Sequence, residues 1–290
     1  MTRARSEMTV APKTFHYDGV GVRLAGERWE GDGSDGVVLL LHGGGQTRHS
    51  WGRTAERLAA GGRTAVALDA RGHGDSEWHP AQDYTLNGFV ADLLAFISTL
   101  DGPPVLVGAS LGGITSLAAA GEHPGLARGL VLVDIVVRAE PTGVTRIRDF
   151  MTAHDDGFSS LEEVADAVAA YNPVRRRSRD PEGLRKNVRQ RADGRWYWHW
   201  DPAFMHIDDE LDPDRLRIAA SHVTIPTLVV RGAQSDVVSD AGLADMLRLI
   251  PQAESVDVQA AAHMVAGDDN DVFADRLEAF LARLDADAEQ

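Results

Sequence analysis

The stretch that decides the fold is residues 105–113, Val-Leu-Val-Gly-Ala-Ser-Leu-Gly-Gly. It begins as an apolar run typical of a buried strand and continues into a serine set between small residues. Gly108, Ser110 and Gly112 fit the pattern G-x-S-x-G, in which a sharp turn from strand to helix exposes a serine hydroxyl. Because glycine is common in this chain, at 29 of 290 residues, the pattern needs support from its surroundings.

Apolar runs alternate with amphipathic stretches on both sides of Ser110, which predicts β-α-β units around a mostly parallel sheet flanked by helices. A strand pair is predicted between Thr14 and Trp29. The other predicted strands are 36–42, 64–69, 104–108, 130–135, 226–232 and 255–258, and the predicted helices are 85–100, 111–122, 161–171, 241–250 and 272–284. From about 138 to about 221 the chain is more charged and mostly helical in pattern. We therefore predict an α/β fold whose sheet is interrupted by a helical insertion.

The overall composition excludes several classes of protein. The net charge of −15 argues against a nucleic-acid partner, since nucleic-acid binders present a basic face. The absence of cysteine excludes disulfides, thiol catalysis and thiolate zinc sites. No apolar run approaches the roughly 20 residues that span a bilayer, and residues 1–13 lack the apolar region of a secretory signal. We expect a cytoplasmic protein with a small-molecule substrate and no membrane partner, and a homo-oligomer is compatible with the sequence.

Two partners for the serine are present later in the chain. A serine hydroxyl needs a base to become nucleophilic, and the base needs an acid that orients it. Asp236 and His263 each follow a predicted strand, and the carboxyl ends of parallel strands meet at the edge where Ser110 lies. We predict that His263 is the base and Asp236 the acid. Asp134, which ends the strand after Ser110, and Asp240 are the alternative acids.

A glycine-rich turn offers groups to stabilise an oxyanion. The first strong strand runs into His42-Gly43-Gly44-Gly45, where the backbone can approach a substrate closely and expose its N–H groups. We predict Gly44 N–H as the first donor and Leu111 N–H, just after the nucleophile, as the second. Gly45 is the alternative to Gly44. His42 is predicted to hydrogen-bond the backbone of this turn and to lie beside the substrate pocket.

These residues and motifs resemble those of α/β-hydrolase-fold serine hydrolases. The resemblance covers nearly the whole chain and includes the segment 69–76, D-A-R-G-H-G-D-S, which is similar to the loop that capped members carry after their fourth strand. It implies an α/β-hydrolase core formed by residues 1–137 and 222–290, with a helical cap at 138–221 that covers the active site. The segment 262–271 is similar to epoxide-hydrolase-like and haloperoxidase-like proteins. Epoxide hydrolases of this fold have an aspartate nucleophile, however, whereas this chain has Ser110.

The cap region contains an unusual aromatic run. Trp196, Trp198 and Trp200 alternate with other residues, which would direct them to one face. Packing of the cap on the core and a roof over an apolar substrate both explain this pattern. Trp198 and Trp200, together with Met264, are our candidate pocket residues. The pair His199 and His206 has no evident third ligand, so no metal site and no cofactor is predicted. His73 and Asp75 are expected to hold their own loop.

The sequence thus predicts a serine hydrolase that cleaves a small or medium apolar carboxylic ester or lactone through an acyl-enzyme. The alternatives left open are a cofactor-free perhydrolase, a hydrolase of C–C bonds in ring-cleavage products, an epoxide hydrolase and a non-catalytic ligand receptor.

Overall fold

The computed structural model describes residues 11–33, 36–171, 181–206, 212–259, 261 and 271–288. Its main element is an eight-stranded sheet. The strands are β1 (Lys13–Asp18), β2 (Arg23–Trp29), β3 (Val37–Leu41), β4 (Thr64–Leu68), β5 (Val105–Ala109), β6 (Gly129–Val133), β9 (Thr227–Gly232) and β10 (Glu254–Val258). They lie in the order β1-β2-β4-β3-β5-β6-β9-β10. Strands β1 and β2 pair antiparallel, as do β2 and β4, whereas the remaining pairs are parallel. The predicted mostly parallel sheet is confirmed.

Helices cover both faces of this sheet, because the parallel strands are apolar on both sides. They are α1 (Gly52–Ala60), α2 (Leu86–Ile97), α3 (Leu111–Glu122), α6 (Pro213–His222), α7 (Asp240–Leu249) and α8 (Asp271–Ala288). Leu39 and Leu106 pack with α2, α3, α6 and α7 on one face, while Val38 and Val107 pack with α1 and α8 on the other. Successive residues of one strand therefore belong to two separate cores, as the two-residue period of a strand requires.

The chain between β6 and α6 forms an insertion at the carboxyl edge of the sheet. It contains α4 (Pro141–Thr152), α5 (Leu161–Tyr171) and an antiparallel hairpin of β7 (Val188–Gln190) and β8 (Trp196–Trp198). A small separate core holds it together, in which Phe158, Val164 and Val188 are buried. Helix α6 packs differently, since Leu216 and Ala220 belong to the main core and Gly121 of α3 lies against the α6 backbone. The division of the cap at residue 221 remains a prediction, and this packing favours an earlier end.

Candidate active site

Ser110 lies in a strained turn between strand β5 and helix α3. Its φ of 46° falls in the left-handed region, which a serine adopts only when its surroundings enforce it. The Ser110 N–H donates to the Val133 carbonyl at 3.1 Å, and the Ser110 carbonyl accepts from Ile114 N–H at 2.8 Å. The neighbouring strand and the new helix thus hold the backbone on both sides. The side chain is only half-buried, at the carboxyl edge of the sheet.

The glycines around Ser110 are required by the close approach of β5, α3 and β3. A Cβ on Gly108 would collide with the Gly112 carbonyl, and a Cβ on Gly112 would collide with the Leu41 carbonyl. Gly112 N–H also donates to the His42 carbonyl at 3.0 Å. This bond joins the start of α3 to the turn at residues 42–45, which we call the oxyanion turn after its predicted role. The pattern G-x-S-x-G therefore reflects the packing of the turn itself.

The oxyanion turn lies directly beside the serine. A Cβ built on Gly43 would be 3.3 Å from Ser110 Cβ, and one built on Gly44 would be 4.0 Å from Leu111 Cβ. Within the described residues, no hydrogen bond is found for the N–H groups of Gly44 and Leu111. Two backbone donors therefore lie near each other and near the Ser110 side chain, an arrangement suited to a developing negative charge.

Gly45 is oriented differently from Gly44. It has a φ of 73°, and its N–H donates to His73 Nε2 at 3.1 Å. The Gly45 N–H group is therefore already engaged inside the protein. This favours Gly44 over Gly45 as the first donor, and the role of Gly44 stays a prediction.

His42 is buried behind the oxyanion turn, with both ring nitrogens engaged. Nε2 accepts from Ala70 N–H at 3.0 Å, and Nδ1 lies 2.8 Å from the Gly43 carbonyl. Burial lowers the pKa of His42, so the ring is neutral near pH 7. The backbone role expected from sequence agrees with these contacts. A direct bond from the His42 ring to substrate is not supported, because neither nitrogen is available for it.

Of the three candidate acids, Asp240 is 94% exposed and pairs with Arg231. Asp134 and Asp236 are less exposed, and they differ in environment. Asp134 is 1% exposed and follows β6, the neighbour of β5, the strand that ends just before Ser110. Its Oδ1 accepts from Gly232 N–H at 2.9 Å, and its Oδ2 accepts from the Ser235 hydroxyl at 2.6 Å. Its φ of 51° is in the same strained region as that of Ser110. Such strain is typical of functional sites.

Asp236 occupies the loop after β9, as predicted, but its side chain is 36% exposed. Its Oδ2 accepts from the Arg146 guanidinium of α4 at 2.8 Å. Burial, followed by the charge of Asp236, raises the pKa of the nearby Tyr171 to about 12. Asp236 therefore belongs to a polar junction between the core and the insertion. His263 and Met264, our predicted base and pocket residue, lie outside the described residues.

Aromatic and thioether side chains of the insertion pack against the oxyanion glycines. A Cβ built on Gly44 would lie 3.3 Å from Phe204 Cζ, and one built on Gly45 would lie 3.3 Å from Trp200 and 3.0 Å from Met151 Cε. Trp198 stacks on Trp200 with ring centroids 5.0 Å apart. The structure thus brings Trp200 to the site and places Trp198 behind it. Phe204 and Met151 were not predicted, since neither belongs to a motif.

Among the described residues, the insertion contacts the core at two junctions, each beside a loop that carries a candidate site residue or holds one in place. At the first, Glu140 N–H donates to the Val237 carbonyl at 2.9 Å, next to the Arg146–Asp236 pair. At the second, residues 199–201 run antiparallel to residues 72–74. There, Gly74 N–H donates to the His199 carbonyl at 2.9 Å and Asp201 N–H donates to the Gly72 carbonyl at 2.8 Å.

A buried charge cluster holds the loop that carries His73. Arg48 is 4% exposed and pairs with Asp69, which is fully buried, and with Asp75 at 2.8 Å. Asp69 Oδ2 also accepts from Asp75 N–H at 2.9 Å. Buried charges persist only when they are paired in this way. Asp75 therefore holds its own loop, as expected, and it also binds Arg189 of β7 at 2.7 Å.

Two searches of the described ranges bear on ligands and membranes. No group of three or more histidine, aspartate or glutamate side chains there is close enough to hold a metal ion. None of the helices in those ranges combines the length and the apolar character needed to cross a bilayer.

Comparisons with known proteins agree with this architecture. A family model described as alpha/beta hydrolase fold matches residues 36–269. The chain is 30% identical over 253 residues to the esterase Rv0045c of Mycobacterium tuberculosis, a match that covers 83% of this chain and 80% of that protein. It is 34% identical over 218 residues to 2-(acetamidomethylene)succinate hydrolase of Mesorhizobium japonicum, covering 70% and 72% of the two chains.

Solved structures show the same similarity in three dimensions. A crystal structure of E-2-(acetamidomethylene)succinate hydrolase matches with a TM-score of 0.81 at 26% identity, covering 94% of this chain and all of that one. A structure of the M. tuberculosis esterase matches with a TM-score of 0.74 at 26% identity, covering 93% and 92%. The match therefore includes the insertion as well as the sheet.

Proposed function

Because this chain belongs to the α/β-hydrolase fold family, we propose that it is a serine hydrolase that cleaves carboxylic esters through an acyl-enzyme at Ser110. The observation that carries the proposal is the strained serine turn with two backbone N–H groups beside it. A turn that holds φ at 46° costs about 1–3 kcal/mol, and such a cost is usually met where the conformation has a function.

The mechanism assigns one role to each group. His263 takes the Ser110 proton, and Ser110 Oγ attacks the ester carbonyl carbon to form a tetrahedral intermediate. Gly44 and Leu111 N–H groups stabilise its oxyanion. The alcohol then leaves with the proton held by His263, and water releases the acid from the acyl-enzyme by the same steps. No metal or organic cofactor enters this scheme.

For the acid we propose Asp134 in preference to Asp236. An acid that orients a histidine must itself be held, and Asp134 is buried with a partner on each oxygen. Each carboxylate oxygen can accept more than one hydrogen bond, so these partners are compatible with a further one from His263. Asp236 faces solvent and is neutralised by Arg146, which weakens its influence on a histidine. Asp236 remains the alternative that mutagenesis must test.

The proposed substrate is a small or medium apolar ester. Phe204, Trp200 and Met151 lie against the oxyanion glycines and present apolar surface where the substrate would enter. The relative from M. tuberculosis is named an esterase, which supports an ester over other carbonyl substrates. A lactone would react by the same chemistry, since its ring-opened acyl-enzyme carries its own alcohol.

The test is hydrolysis of p-nitrophenyl esters of increasing chain length, together with labelling by a fluorophosphonate probe. We expect wild-type protein to be labelled and to hydrolyse the short esters. Ser110→Ala should abolish labelling and lower kcat by about 10⁴-fold or more, as for other serine triads. Ser221→Ala is the matched control, because Ser221 is an exposed serine on α6 whose hydroxyl donates only to the Ile218 carbonyl. Unlabelled wild-type protein that hydrolyses none of these esters would refute the proposal.

A further inference from the structure

Two buried histidines hydrogen-bond the backbone of the oxyanion turn, and neither takes part in the mechanism above. His42 and His73 are 2% and 0% exposed, and their ring centroids are 5.3 Å apart. Each accepts a backbone N–H at Nε2, from Ala70 and Gly45 respectively. Because a backbone N–H can only donate, Nε2 of each ring carries no proton. Each neutral ring therefore has its proton on Nδ1, which faces the Gly43 carbonyl in His42 and the Arg71 carbonyl in His73.

The contact of His42 with Gly43 determines where the oxyanion donor points. A trans peptide group directs its carbonyl and its N–H in opposite directions. The Gly43 carbonyl shares a peptide group with the Gly44 N–H and is held by His42 Nδ1–H at 2.8 Å. Gln46 N–H binds the same carbonyl from the turn at 3.1 Å. The Gly44 N–H must therefore point away from His42.

The contact of His73 with Gly45 fixes the next peptide group. Three successive glycines would otherwise rotate freely, since none has a side chain that restricts φ. His73 Nε2 draws the Gly45 N–H inwards and holds Gly45 at a φ of 73°. The Phe204 ring packs against the His73 ring in a T-shaped arrangement at a centroid distance of 4.8 Å, which holds the His73 ring in place.

We propose that His42 and His73 are positioning residues that act as a pair, each through one defined nitrogen, to direct the Gly44 N–H at the oxyanion. The essential atom of His42 is its Nδ1–H donor, and the essential atom of His73 is its Nε2 acceptor. The neutral ring is required in both cases. Burial and the neighbouring His42 lower the pKa of His73 to about 3, which agrees with this requirement.

The proposal rests on the proposed esterase function. It predicts that asparagine replaces His42 better than glutamine does, and that glutamine replaces His73 better than asparagine does. An asparagine amide reaches the position of Nδ1, whereas a glutamine amide reaches the position of Nε2. His42→Asn and His73→Gln should therefore retain kcat to within about tenfold. His42→Gln and His73→Asn should lower kcat by about 100- to 1,000-fold, the loss seen when one oxyanion donor is removed. KM should change little, because the donor acts on the transition state.

The experiment measures kcat and KM of the four variants on p-nitrophenyl butyrate and their affinity for a trifluoromethyl ketone, which forms an oxyanion when serine adds to it. We expect kcat and the affinity for the trifluoromethyl ketone to be lower in His42→Gln and His73→Asn than in His42→Asn and His73→Gln. Equal losses for asparagine and glutamine at each site would overturn the proposal, since they would indicate a requirement for shape alone. If wild-type protein hydrolyses no ester, the proposed function fails instead.

A second measurement uses wild-type protein, so it does not depend on whether a variant folds. In wild-type protein labelled with ¹⁵N-histidine, long-range proton–nitrogen spectra distinguish the two neutral tautomers. We expect both rings to show the Nδ1–H form at pH 7 and His73 to keep it at pH 5. An Nε2–H form or a charged ring at either position at pH 7 would overturn the proposal.

Discussion

Replacing the two candidate acids one at a time gives the sharpest test of the catalytic assignment. In Asp134→Asn the side chain keeps its size but loses the charge that stabilises a protonated His263. The corresponding change in serine proteases lowers kcat by about 10⁴-fold. We expect a fall of about 10³- to 10⁴-fold here, which equals roughly 4–5.5 kcal/mol of transition-state stabilisation.

The same substitution has a separate cost in stability. An asparagine side chain has one acceptor oxygen in place of two, so it cannot accept from both Gly232 N–H and the Ser235 hydroxyl, which now bind different oxygens of Asp134. A buried hydrogen bond that is lost in this way costs about 1–3 kcal/mol. Asp236→Asn should behave differently, because it weakens an exposed ion pair with Arg146 that is worth less than about 1 kcal/mol.

The assay combines ester hydrolysis with urea unfolding for both variants. We expect Asp134→Asn to lose activity and some stability, and Asp236→Asn to stay within about fivefold of wild-type kcat at nearly unchanged stability. The reverse result, with Asp236→Asn inactive and Asp134→Asn active, would refute the argument from burial. It would assign the acid to Asp236, as the sequence interpretation predicted.

Three further predictions concern the histidines, the serine turn and the pocket. Between pH 6.5 and about 4.5 the unfolded chain protonates His73, whereas the folded chain does not, because burial and the neighbouring His42 lower the pKa of His73 to about 3. Burial also lowers the pKa of His42, which acts in the same direction. The free energy of unfolding should therefore fall on acidification through this range by about 1.4 kcal/mol per pH unit from His73 alone, and urea unfolding of His73→Gln should show a pH dependence that is smaller by that amount. Gly112→Ala should lower the free energy of unfolding by about 1–3 kcal/mol and remove most of the activity, because the added Cβ collides with backbone. An alanine variant with wild-type kcat and melting temperature would contradict this packing. Phe204→Ala should extend the preferred acyl chain by several carbons, and an unchanged chain-length profile would show that Phe204 does not limit the pocket.

Elements defined by apolar runs were predictable, because burial of a parallel strand on both faces produces such runs. Helix α3 begins at Leu111 and helix α5 ends at Tyr171, at the predicted residues. The hairpin of β7 and β8 was not predicted. Its strands have three residues each, too few for a period to appear.

The site was less predictable where it depends on burial or on contacts between distant residues. Asp134 and Asp236 both lie at or shortly after the carboxyl end of a predicted strand, and only the fold separates a buried carboxylate from an exposed one. The bond from Gly45 to His73 joins residues 28 positions apart and has no local pattern. The turn at Ser110 was predictable because it imposes small residues on the immediate neighbours of the serine.

The two junctions between insertion and core limit how far the insertion can be exchanged as a module. Residues 199–201 pair with 72–74, whose His73 holds Gly45, and α4 begins against the loop that carries Asp236. A chimera that joins this core to a foreign insertion would need to reproduce both sets of backbone contacts. Such chimeras should therefore change substrate specificity and catalytic rate together. Single substitutions at Met151 or Phe204 should change the specificity without the same change in rate.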